Sequence, residues 1–107
     1  MNDNAMITFQ QDERDGDVAL VVSGEIDIST SDAFYDQLRV LVAAAHSPAF
    51  VDLSHVTFID SSGLNALVRA SKAADAVDAN LVLVAPSRTV RRMLVLSGLA
   101  PSFDVRD

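Results

Sequence analysis

Val51-Asp52-Leu53-Ser54-His55-Val56-Thr57-Phe58-Ile59-Asp60-Ser61-Ser62-Gly63-Leu64 is the stretch from which the rest of the chain can be read. It starts inside an apolar strand, residues 49–53, and ends where a helix has to begin. Asp60, Ser61 and Ser62 carry side chains that accept hydrogen bonds from orphan helix N–H groups. Leu64, Leu67 and Val68 follow at the i, i+3, i+4 spacing of one helix face. The two serines therefore fall at a helix N-terminus, where exposed N–H groups meet the positive end of the helix dipole. A hydroxyl placed there can carry a phosphate without a basic cluster nearby. Ser and Asp are also ordinary caps that need carry nothing. A cap needs only one polar side chain, however, and here three in a row precede Gly63, a poor helix former in a first turn. A residue without Cβ suits a place that another backbone or another protein approaches closely, so the turn is expected to be a contact surface.

These residues resemble the phosphoacceptor motif of the STAS-domain anti-sigma factor antagonists (anti-anti-sigma factors), in which an aspartate and a Ser or Thr open a helix and Ser-Gly-Leu or Thr-Gly-Leu follows. Three other stretches are similar to the family in the same order: Gly24-Glu25-Ile26-Asp27, Asn80-Leu81-Val82-Leu83-Val84, and Arg91-Arg92-Met93-Leu94 leading to Ser97-Gly98-Leu99. The resemblance spans roughly residues 5–105. It implies a protein that binds an anti-sigma factor with serine kinase activity while unphosphorylated, and so frees a sigma factor. Phosphorylation of the motif serine ends that binding and a serine phosphatase restores it. Such proteins control transcription in stress response or sporulation. Matched position by position, the implied acceptor is Ser61, with Ser62 the adjacent alternative, and the implied partner surface is Asp27, Asp60, Ser61, Ser62, Gly63 and Leu64. A phosphate adds about −1.5 to −2 charges beside Asp60 and Asp27, so charge more than shape would be the switch. Members of the family commonly carry a further helix after the last strand. Only Arg106 and Asp107 remain here, so that helix is expected to be missing. Two rival readings keep the sequence without the switch: a STAS subunit never phosphorylated, acting as a scaffold or as the cytosolic accessory of a transporter, and a small enzyme.

Length and composition bound the answer independently. A chain of 107 residues that is 50% hydrophobic is one domain, here residues 6–107, behind a polar leader at residues 1–5 that is expected to fray. There is no cysteine, which removes disulfides, thiolate metal sites and a cysteine nucleophile. Net charge is −7 with eight basic residues, so nucleic acid and anionic lipid are repelled overall. No apolar run approaches the ~20 residues needed to cross a bilayer. The expectation is a cytoplasmic monomer that binds no membrane, no nucleic acid and no cofactor.

Taken in order, Ile7 and Phe9 alternate with Thr8 and Gln10 in a half-buried strand, residues 11–17 make a polar turn, and residues 18–22 form a second strand paired as a hairpin. Ser29, Thr30, Ser31 and Asp32 are cap candidates for a helix that carries Phe34, Leu38, Leu41, Val42 and Ala45 and stops before Ser47-Pro48. The next strand covers residues 50–53, and Phe58 and Ile59 are expected to plug the sheet end. A helix over residues 62–77, an apolar strand over 81–85 and a helix from Pro86-Ser87-Arg88 to Gly98 come next. The unbroken apolar strand suits helices on both faces or a central place. Residues 103–105 add an edge strand. The order is β-β-α-β-α-β-α-β, an α/β domain whose mixed central sheet is parallel wherever a helix intervenes.

Other chemistry finds little support. Glu25 and Asp27 flank Ile26 and would share one face of an extended chain, but no nucleophile or metal-ligand spacing accompanies this acid/base pair. His46 and His55 lack the Cys or Glu neighbours of a metal site, so no metal is expected. Gly16, Gly24, Gly63 and Gly98 make no phosphate cradle, and Asp60-Ser61-Ser62-Gly63 lacks the leading glycine of a hydrolase elbow. An enzyme is not expected.

Overall fold

In the computed structural model, which describes residues 7–14, 16–45 and 48–107, Ile7–Arg14 (β1) and Asp17–Ile26 (β2) form an antiparallel hairpin. The register runs from Ile7 opposite Gly24 to Arg14 opposite Asp17. Gly16, directly before β2, stands at φ 85°, a left-handed conformation that glycine adopts without steric cost. The expected turn over 11–17 is shorter because Gln11, Asp12 and Glu13, though exposed, keep the ladder of an edge strand.

The chain continues through Ser31–Ala44 (α1), Pro48–Ile59 (β3), Ser61–Ala76 (α2), Asn80–Val84 (β4) and Arg88–Leu96 (α3), then a 3₁₀ turn at Ala100–Ser102 and Asp104–Arg106 (β5). The strands lie side by side in sequence order, with β2 to β5 all parallel. Each crossover steps to the next strand in the same direction, and right-handed crossovers of this kind place every helix on one face. Directly paired residues share a face, so Gln11, Leu20, Val51, Leu83 and Val105 form one row on the helix side. The adjacent row, Asp12, Ala19, Phe50, Val82 and Asp104, looks the other way.

One hydrophobic core fills the helix side. Leu20, Val22, Ile26, Val51, Ile59 and Leu83 meet Phe34, Leu38 and Leu41 of α1, Leu64 and Leu67 of α2, and Val90 and Leu94 of α3. On the seam between α1 and α2, the Arg69 guanidinium stacks 4.0 Å from the Tyr35 ring centre. The apolar run of β4 is therefore explained by its inner place in the sheet, not by helices on both faces. Val82 on the open face is buried between Phe50 and Asp104 of the flanking strands, with Arg106 lying 5.8 Å over the Phe50 ring.

β3 departs most from expectation. It spans 12 residues, continuing through the polar Ser54, His55 and Thr57. Register shifts against β2, between Val21 and Ser23 and again between Gly24 and Glu25, place extra residues in β3 and keep it paired to Ile59. It outruns β4, whose last partner is Asp52. Leu53 O, past the end of β4, accepts from Ser87 N at 3.1 Å, which ties the start of α3 to β3. Phe58 does not plug the sheet end: it is 46% exposed, and only Ile59 turns into the core.

Candidate functional site

β2 and β3 finish together. Ile26 is paired with Ile59, and Asp60 N donates to Ile26 O at 3.1 Å, so Asp27 and Asp60 are the first residues beyond two adjacent strands at the carboxyl edge of the sheet. Both build the same turn. Asp27 Oδ1 accepts from Ser29 N at 2.9 Å and Ser29 Oγ at 2.6 Å; Asp60 Oδ1 accepts from Ser62 N at 2.9 Å and Ser62 Oγ at 2.5 Å. Asp52 repeats the arrangement inside β3, with Ser54 N at 2.9 Å and Ser54 Oγ at 2.6 Å. An Asp-x-Ser sequence thus folds the same way three times, because the short carboxylate reaches the backbone N–H and the hydroxyl two residues on.

The two edge turns lead into their helices differently. Asp60 is the N-cap of α2, its carboxylate also accepting from Gly63 N at 3.3 Å. Of the cap candidates before α1, Thr30 occupies the N-cap position but makes no cap bond. Its hydroxyl instead donates to Glu25 O at 2.9 Å and accepts from Asp27 N at 2.9 Å, lacing the loop back to β2. The Ser29 hydroxyl, foremost, and the N–H groups of the turn hold the Asp27 carboxyl below its ordinary value, so it stays ionised.

The two serines are not equivalent. Ser62 Oγ is committed to Asp60, whereas Ser61, in the first turn of α2, is exposed and its hydroxyl has no hydrogen bond among the described residues. The structure brings Asp27, Asp60, Ser61 and Ser62 to one edge. Gly63 and Leu64 belong beneath it. Both are buried, and a Cβ on Gly63 would stand 2.6 Å from Ile26 Cγ2 and 2.7 Å from Ile59 Cγ1. The close approach that the glycine signals is made by the sheet of the same chain, which corrects its reading as an outer contact point.

Of two apolar side chains exposed at this edge, Ile28 escaped the sequence reading and Phe58 was expected inside. Ile28, between the mutually occupied Asp27 and Ser29, is 80% exposed, and Phe58, paired with Glu25, faces outward. The signal for Ile28 was available: an Asp-x-Ser turn closes on itself and leaves its middle residue outside. Glu25 and Asp27 do not act as a pair, since the Asp27 carboxyl is taken up by its own turn. His55 is exposed, with Nδ1 3.1 Å from Ser54 Oγ, and His46 lies outside the described residues. Among the described residues no cluster of three or more His, Cys, Asp or Glu side chains is placed to hold a metal ion, and no helix is long and apolar enough to cross a membrane.

Comparison with known proteins places this geometry. The anti-sigma-B factor antagonist of Listeria monocytogenes is 29% identical over 102 residues, covering 94% of this chain and 90% of that protein. Among solved structures, an anti-sigma factor antagonist from Mycobacterium paratuberculosis superposes with a TM-score of 0.83 at 29% identity, over 99% of this chain and 90% of its own. The phosphorylated form of the Bacillus cell fate determinant SpoIIAA shares the fold, with a TM-score of 0.67 at 23% identity over 92% of this chain and 90% of its own. The STAS domain profile matches residues 8–107, the span that builds both the sheet and its carboxyl edge, and the chain belongs to the STAS domain family.

Proposed function

We propose that this protein is an anti-sigma factor antagonist: unphosphorylated, it binds an anti-sigma factor that is also a serine kinase, and phosphorylation of Ser61 ends that binding until a serine phosphatase restores it. Sigma-factor-dependent transcription is what the cycle controls. The names of the relatives support the first part. The observation that carries the second is the inequality of the two serines: Ser61 offers an exposed, uncommitted hydroxyl at a helix N-terminus, while Ser62 is locked to Asp60 at 2.5 Å.

The partner surface is Asp27, Asp60, Ser61 and Ser62, with Ile28 and Phe58 as its apolar contacts and Gly63 and Leu64 as its floor. A phosphate on Ser61 gains from the N–H groups and dipole of α2, so the modified helix stays folded. The same phosphate stands next to Asp60 and near Asp27, which raises the negative charge of the edge by about −1.5 to −2 and opposes an acidic or closely packed partner. The role is binding, not catalysis.

Intact-mass spectrometry after incubation with the cognate anti-sigma kinase and ATP tests this. The wild type and Ser62→Ala gain one phosphate and Ser61→Ala gains none. An increment kept in Ser61→Ala and lost in Ser62→Ala would transfer the role to Ser62; none in any form would leave a STAS scaffold without the switch.

A further inference from the structure

We propose that the outward face of α3 is a docking site for an acidic, amphipathic segment of another polypeptide, separate from the Ser61 edge. Val90 and Leu94 bury the inner side of this helix. Arg88, Arg91, Arg92, Val95 and Leu96 recur at i, i+3, i+4, i+7 and i+8, so they share the opposite side, where they line a shallow groove of about 530 Å³. Val95 and Leu96 are 68% and 69% exposed. Three of the eight basic residues in a chain of net charge −7 therefore stand beside an exposed apolar pair on one nine-residue helix.

Helix stability does not account for this. Arg88 and Arg91 sit in or next to the first turn, where the dipole disfavours cations, and no acidic residue offsets them there. One of the three arginines is already paired: Arg91 Nη2 meets the exposed Asp107 side chain while its Nε donates to Pro86 O at 3.0 Å. Arg88 and Arg92 pair with no carboxylate among the described residues. Two free guanidinium forks suit carboxylates, and Val95 and Leu96 lie one turn further on, in reach of alkyl side chains of the same ligand. A helical segment with acidic residues at one end and leucine-like residues one turn away has this pattern. A single-stranded nucleic acid would stack its bases on aromatic side chains, and none lines the groove.

The test titrates the full-length protein with a synthetic Glu/Leu amphipathic helical peptide, followed by calorimetry and amide chemical shifts. Shifts centred on α3 are expected. Arg88→Glu with Arg92→Glu should weaken binding by more than about tenfold, as should Val95→Ser with Leu96→Ser, while circular dichroism stays unchanged. If the charge reversals disturb folding, Arg88→Gln with Arg92→Gln replaces them. The proposal fails if affinity is insensitive to these changes, if oligoglutamate of equal charge binds as well, if phosphatidylglycerol vesicles bind in place of the peptide, or if sedimentation shows α3 covered by a second copy of the chain.

Discussion

Cγ2 of Ile26 lies 2.6 Å from the point a Cβ would occupy on Gly63. The first turn of α2 rests on the ends of β2 and β3 with no room for a methyl group, and the same contact fixes the height of Ser61 above the sheet edge.

Gly63→Ala should therefore destabilise the fold, although alanine is the better helix former by about 1 kcal/mol. The crowding atoms, Ile26 Cγ2 and Ile59 Cγ1, hang directly on β-branched carbons inside the core and cannot swing away. Overpacking of this kind costs about 1–3 kcal/mol, which exceeds the gain in propensity. A melting temperature several degrees lower is expected in a thermal scan by circular dichroism, and a larger loss for Gly63→Leu. A melting temperature that rises in Gly63→Ala would show that the turn relaxes away from β2.

Asp60→Ala removes the side-chain acceptor for Ser62 N and Gly63 N and should cost about 0.5–2 kcal/mol in urea denaturation. Asp27→Ala should cost less, because Thr30, not Asp27, laces the loop before α1 back to Glu25 O. Equal losses from the two substitutions would mean that capping of α2 is not what Asp60 contributes.

How much of this was legible in the sequence depends on which force set each feature. The strand and helix order came from apolar spacing and from caps, and the start of α2 was legible to within one residue because Asp60 caps it locally. The length of β3 was not, since the polar Ser54, His55 and Thr57 interrupt the apolar run that ends at Leu53, and the register shifts against β2 keep the strand paired beyond them. Gly63 was readable as a place of close approach, but whether the neighbour is the chain itself or a partner is a tertiary fact. The proposed preference for Ser61 over Ser62 rests on the direction of the Ser62 hydroxyl, which no spacing encodes.

The Asp27 carboxyl should titrate below the ordinary aspartate value of about 3.9 in a pH series of side-chain carbonyl shifts. Because the folded value is the depressed one, the stability this carboxylate contributes is complete above its unfolded value and is lost as pH falls through the folded value. Ser29→Ala removes the hydrogen bond that depresses it most, so the midpoint should move up toward 3.9. A midpoint unmoved in Ser29→Ala would mean that the backbone N–H groups of the turn carry the effect.

Ser61→Asp tests whether charge alone operates the switch. The substitution places one negative charge where a phosphate places nearly two, and without the three strong acceptor oxygens its effect on partner binding should be partial. It should not unfold the protein, because an acidic residue in the first turn of α2 favours the helix by about 0.3–1 kcal/mol, so lost affinity can be separated from lost structure. Under the proposed mechanism the repulsion acts between Asp27, Asp60 and residue 61 on one side and acidic groups of the anti-sigma partner on the other. Salt screens such charges, the Debye length falling from ~10 Å at 0.1 M salt to ~3 Å at 1 M. The affinity gap between wild type and Ser61→Asp, measured by calorimetry across that range, should therefore narrow as salt rises. The apolar contacts of Ile28 and Phe58 are not screened, so the binding common to both forms should persist in high salt. A gap that stays constant would locate the effect in the lost hydroxyl or in altered packing, and repulsion would have to be abandoned as the switch.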